Sequence, residues 1–83
     1  MKGEKRQMDK TTFFVIQEQN KENGKMFAYA EKVHNCYNLY KYFHPCNGYE
    51  ITSINAVSTY KKAKQTADFW NECAKKNNNY AFA

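Results

Sequence analysis

The stretch from Ser58 to about Lys76 constrains this chain most, because its pattern is met only by a helix laid against another layer. Ala63, Ala67, Trp70 and Ala74 recur at helical spacing as a narrow stripe flanked by Tyr60, Thr66 and Cys73. Lys61, Lys64, Gln65, Asp68, Glu72 and Lys75 fall on the opposite side, where Glu72 is placed to pair with Lys75 or Lys76. Ser58 is the expected cap, its hydroxyl accepting a backbone N–H at the helix entry, and Asn77 to Asn79 end the helix. Small side chains on the stripe let the helix sit close to a sheet. The run Ile51 to Val57, just ahead of it, reads as a strand with Ile51 and Val57 on one face and Ile54 and Ala56 on the other.

Two further strands are written near the start. The β-branched and aromatic run from Thr12 and the run Met26 to Val33 flank a polar stretch ending in Asn23-Gly24, which predicts a β-hairpin. A two-residue turn at Asn23-Gly24 would set Phe14 opposite Val33, Ile16 opposite Glu31 and Glu18 opposite Tyr29. One face then gathers Phe14, Ile16, Phe27, Tyr29 and Val33 as the expected core side. The other gathers Gln17, Gln19, Ala28, Ala30 and Lys32 with Phe13 and Val15, and is expected to be mostly wet. Between hairpin and third strand, Cys36, Leu39, Tyr40 and Phe43 fall at i, i+3, i+4 and i+7, after Asn35 and before Pro45, predicting a two-turn helix. Asn47-Gly48 marks a turn, and Tyr80 to Phe82 is expected to return as a short strand or pack on the core.

The expected architecture is therefore α+β, order ββαβα, a small antiparallel sheet packed on a long C-terminal helix. A chain of 83 residues has room for one core, since it buries only roughly 60 to 65% of its unfolded surface. Residues 1–11 read as a flexible basic tail and 12–83 as a single domain. An aromatic content of 17% supplies the large side chains that a small core needs.

Net charge is +5, and its distribution carries more than its total. The excess lies in the first ten residues, with Lys2, Lys5, Arg6 and Lys10 against Glu4 and Asp9, and in the long helix, with five lysines against Asp68 and Glu72. Such a balance permits contact with RNA, DNA or an acidic protein face. Three cysteines cannot all pair within one chain, and neither a signal peptide nor a membrane-length apolar run is present, so a reduced cytoplasmic setting without membrane contact is expected.

The motifs that bear on chemistry are sparse. His34-Asn35-Cys36 and His44-Pro45-Cys46 together offer four ligands of the kind zinc takes, but structural zinc pairs usually have two to four residues between ligands rather than one. The cysteines are read instead as small buried hydrophobes, with no metal and no cofactor. Without a Ser-His-Asp order, a glycine-rich phosphate loop or paired carboxylates in apolar surroundings, no enzyme is expected. Trp70, between Ala67 and Ala74, reads as core. Tyr37 and Tyr42 lie off the stripe of the short helix beside Lys41, and Tyr49 follows the Asn-Gly turn. These four are the candidate partner-binding residues, an aromatic and basic patch.

The stretch Asn55-Ala-Val-Ser-Thr-Tyr-Lys-Lys-Ala-Lys-Gln-Thr-Ala-Asp-Phe-Trp-Asn-Glu-Cys73, with Tyr80-Ala-Phe82, resembles small accessory proteins encoded on bacterial phages and conjugative elements, anti-CRISPR inhibitors among them. The hairpin runs Phe13-Phe-Val-Ile16 and Phe27-Ala-Tyr-Ala30 look similar to their amino-terminal part. The resemblance implies a non-enzymatic inhibitor or modulator of a host protein or ribonucleoprotein. The edges of a three-stranded sheet can pair between copies while charged residues such as Lys25 and Lys32 oppose it, so either a monomer or a homodimer is expected. The basic balance departs from acidic DNA mimics, so binding to a Cas protein or its guide RNA is the expected mode. The alternative is a direct nucleic-acid-binding module that uses the basic tail and exposed tyrosines.

Overall fold

The computed structural model describes residues 11–34 and 43–82. Strands β1 (Thr11–Asn20), β2 (Met26–His34) and β3 (Tyr49–Val57) form one antiparallel sheet in the order β2-β1-β3, and helix α1 (Tyr60–Lys76) follows β3. The fold is α+β, as the sequence pattern predicts. The short helix expected over Cys36 to Phe43 lies outside the described residues except for Phe43, which is non-helical and buried.

The hairpin forms with a register two residues away from the expected one. Phe14 pairs with Glu31, Ile16 with Tyr29 and Glu18 with Phe27. Asn20 is the cause. Its side-chain oxygen accepts the N–H groups of Glu22 (2.8 Å) and Asn23 (3.2 Å), its carbonyl accepts the Gly24 N–H (2.9 Å), and its own N–H donates to the Lys25 carbonyl (2.7 Å). This Asx-organised loop spans residues 21–24 and closes at Gly24, whose φ of 77° suits glycine, so the two-residue turn is displaced. A shift of two leaves every side chain on its expected face, which a shift of one would not.

β3 carries a β-bulge. Gln17 pairs with Ser53 but Glu18 with Ile51, leaving Thr52 as the extra residue, its hydroxyl directed at the Gln17 carbonyl (3.3 Å) and side-chain oxygen (3.2 Å). The bulge corrects the expected split of the strand. Ile51 and Ile54 now share a face and pack together on the cluster of Phe14, Ile16, Val33 and Phe43.

The long helix covers the face expected to be wet. Val15 and Ala28 form a second core with Ala63 and Ala67, bordered by Phe13, Ala30, Val57 and Trp70. Alanine on both layers permits close approach, and β1, the central strand, is buried on both faces at Phe14, Val15 and Ile16. Burying Val15 and Ile16 fully is worth about 1.5 to 3 kcal/mol each. α1 packs chiefly over β2 and β1 and touches β3 little. Asn71 fixes that offset: its Oδ1 accepts the Ala28 N–H at 2.7 Å and its Nδ2 donates to the Ala28 carbonyl at 2.9 Å.

Both helix ends are built from local chemistry. Thr59, rather than Ser58, is the N-cap, held extended while its hydroxyl accepts the Lys62 N–H at 3.0 Å. At the other end Asn78 adopts φ 57°, and the N–H groups of Asn78 and Asn79 donate to the carbonyls of Lys75 (3.1 Å) and Ala74 (2.7 Å), a Schellman motif with asparagine in the left-handed position. The chain is thereby turned back to β2, where the Asn79 carbonyl accepts the Met26 N–H and the Ala81 N–H donates to the Met26 carbonyl, both at 2.9 Å. Tyr80 thus forms a parallel bridge with Met26, and Phe82 packs on Phe27 at 4.7 Å between ring centroids.

Candidate functional site

Among the described residues, the offset of α1 leaves part of one sheet face without a helix over it. Beside the helix, over β1 and β3, lies a groove of about 440 Å³ lined by Gln17, Met26, Ser53, Asn55, Trp70, Cys73, Ala74, Asn77 and Asn79. The bulge at Thr52 and the alternation of β1 aim Gln17, Ser53 and Asn55 into it, and the last turns of α1 supply the other wall. Four carboxamides and one hydroxyl offer donors and acceptors without charge, and Trp70 offers an aromatic edge. Asn55 Nδ2 donates to Ser53 Oγ at 2.8 Å, which orients both along the rim. Trp70 is half-buried. It packs against the alanine core on one side and borders the groove on the other, so its expected core role accounts for only part of its surface.

A second cluster sits on the opposite face. Glu18 is only 2% exposed, and its two carboxyl oxygens accept from the Tyr29 hydroxyl (2.7 Å) and the Cys46 N–H (2.9 Å). Burial first, then the hydrogen bond to Glu18 and its charge, push the Tyr29 phenol well above the usual tyrosine range. Packing around the thiol and the neighbouring Glu18 carboxylate push Cys46 up as well, although the residue as a whole is exposed. A raised thiol pKa means less thiolate at neutral pH and a poorer nucleophile. The cluster therefore works as a clip, tying the residue 43–48 loop to the sheet.

The candidate residues Tyr37, Lys41 and Tyr42 lie outside the described residues. Tyr49 opens β3, half-buried, with its ring edge-on to Phe27 at 5.4 Å. Phe27 in turn stacks on Tyr29 at 5.7 Å, so Tyr49 belongs to an aromatic layer flanking the Glu18 clip. Of the four His-x-Cys residues, Cys36 lies outside the described residues. His34 Nδ1 lies 2.7 Å from the Thr11 hydroxyl, and among the described residues no group of three or more His, Cys, Asp or Glu side chains is placed to hold a metal ion. The groove went unseen in the sequence because its side chains come from all three strands, the helix and the segment after it. The one readable signal was the unbroken run Phe13 to Ile16, the mark of a strand covered on both faces.

These features define a class: a three-stranded antiparallel sheet with a C-terminal helix set to one side, and a neutral groove beside it. Nothing narrower comes from known proteins, since no family model, no curated protein and no solved structure matches the chain. Among the described residues, no helix is long and apolar enough to cross a membrane.

Proposed function

We propose that this chain is a non-enzymatic binding protein, a modulator of a host protein or ribonucleoprotein in the cytoplasm, and that the groove beside α1 is where the partner docks. One observation carries the reading: the sheet face beside α1 is walled by uncharged hydrogen-bonding side chains around Trp70, and among the described lining residues only the Cys73 thiol is nucleophilic, with no acid or base beside it in that lining. Such a surface suits a protein segment that supplies its own polar groups. Phe69, 65% exposed on α1, adds an apolar contact outside the groove. The origin in phage or conjugative elements is part of the same proposal and rests on the sequence resemblance alone.

The test is affinity capture from nuclease-treated host lysate with the intact chain and with Asn77→Trp, which fills the groove from an exposed position. Stoichiometric capture of one protein by the first and not by the second supports the reading. Equal capture by both places the interface elsewhere and ends it. A second reading has one observation in its favour: carboxamides beside an indole are also the chemistry that stacks and hydrogen-bonds bases. If it holds, the chain binds single-stranded RNA or DNA, Asn77→Trp weakens that binding, and the salt dependence counts the lysines outside the groove that reach phosphates.

A further inference from the structure

The two edges of the sheet are finished differently. On β2, Asn71 takes up the N–H and C=O of Ala28, and the segment after α1 takes up those of Met26. Beyond Ala28 the exposed Lys32 stands on the strand, and a charged side chain on an edge discourages pairing. Among the described residues, β3 has neither closure. Past the bulge at Thr52 it runs Ser53-Ile-Asn-Ala-Val57 without charge, proline or glycine, and among the described residues only β1 pairs with it.

We propose that this chain forms a two-fold symmetric homodimer by antiparallel pairing of β3 with β3 of a second copy along Ser53–Val57, giving a continuous six-stranded sheet.

Self-complementarity argues for a second copy over another partner. With the dyad at Asn55, Ser53 faces Val57 and Ile54 faces Ala56 of the other copy, and no like charges meet. The two Asn55 carboxamides face each other across the axis, each able to donate and accept. Ile54 and Ala56 extend the apolar face on the other side of the sheet. Charge placement agrees. The five lysines of α1 ride over β2 and β1, so at a strand spacing near 4.8 Å the two basic helices stand about 20 Å apart, roughly two and a half times the Debye length at physiological salt. A helix centred on β3 would have blocked the seam or brought the lysines together. The second copy also completes the groove, because Asn55 of the other copy closes the rim left open beyond β3. The dimer does not depend on the groove binding any partner.

Sedimentation of the full chain across a wide concentration range reads this directly. The expected result is a concentration-dependent shift from the 9.8 kDa chain mass to twice that value. Asn55→Lys, at an exposed position, sets two ammonium groups against each other at the axis and is expected to weaken the dimer at least about tenfold with an unchanged circular dichroism spectrum. Asn55→Glu behaves the same way alone, and an equimolar mixture of the two variants dimerises again, which symmetric pairing at Asn55 demands. A chain that stays at 9.8 kDa throughout, a dimer indifferent to both substitutions, or a mixture that stays monomeric overturns the proposal. So does protection of the β3 edge amides only when a different protein is added.

Discussion

Asn71 is the sharpest test of how the layers are joined. Its carboxamide makes two short hydrogen bonds, 2.7 and 2.9 Å, to the outward-facing N–H and C=O of one edge-strand residue, Ala28. Asn71→Ala removes both. Each is worth about 0.5 to 1.5 kcal/mol net, and because the site is only part-buried, water can reach the freed groups and spare most of the further desolvation penalty. A loss of about 2 kcal/mol follows, which for a domain of this size lowers Tm by roughly 8 to 16 °C. Asn71→Asp keeps the acceptor for the Ala28 N–H but turns a carboxylate oxygen toward the Ala28 carbonyl, so it should be no more stable than the alanine variant. Urea unfolding monitored by circular dichroism gives the free energies, and amide exchange gives the location: protection at Ala28 should fall more than at the hydrogen-bonded amides of β1. A change in Asn71→Ala below about 0.5 kcal/mol, the range of a neutral surface substitution, with Ala28 protection intact, would refute the argument that this side chain fixes the offset of α1.

Ala28→Leu separates the two possible helix placements: with α1 over this face it overpacks the alanine seam and costs about 1 to 3 kcal/mol in urea unfolding, whereas a wet face would accept it at almost no cost. Asn78→Ala, at φ 57°, should cost about 1 kcal/mol by the same measurement, and Asn78→Gly should not. A spectrophotometric titration of the folded chain should show a tyrosine ionising well above the ordinary range, and that step should vanish in Tyr29→Phe. Because the folded pKa of Tyr29 is raised, its contribution to stability is fully present below the ordinary tyrosine value of about 10 and is lost as pH climbs through the raised one. Alkaline loss of stability above about pH 10 should therefore be shallower in Tyr29→Phe, and an identical slope would contradict the buried bond to Glu18.

Most of the fold was legible in the sequence because it is locally encoded. Period-two and helical spacings placed three strands and the long helix, Asn47-Gly48 placed a turn, and the stripe of alanines announced a close-packed helix. Two departures, in the hairpin register and in β3, arose where a side chain competes with the regular ladder. Asn20 reorganises the hairpin loop, and Thr52, reaching back to Gln17, accompanies the bulge that brings Ile51 and Ile54 together. Neither is visible in hydrophobic periodicity. The candidate site was less legible still. Gln17, Asn55, Trp70 and Asn77 carry no mutual spacing signal, and they meet only because Asn71 holds the helix over one half of the sheet.

What the sequence settled alone is therefore the list of parts: strands, capped helix, turns, and the face each strand residue shares with its neighbours, Ile51 excepted. Which face the helix covers was decided in three dimensions. Both faces of β1 are apolar, so pattern cannot choose between them. The alanines of β2 and α1, which look like weak core residues in isolation, form a shared core once two surfaces of small side chains can approach.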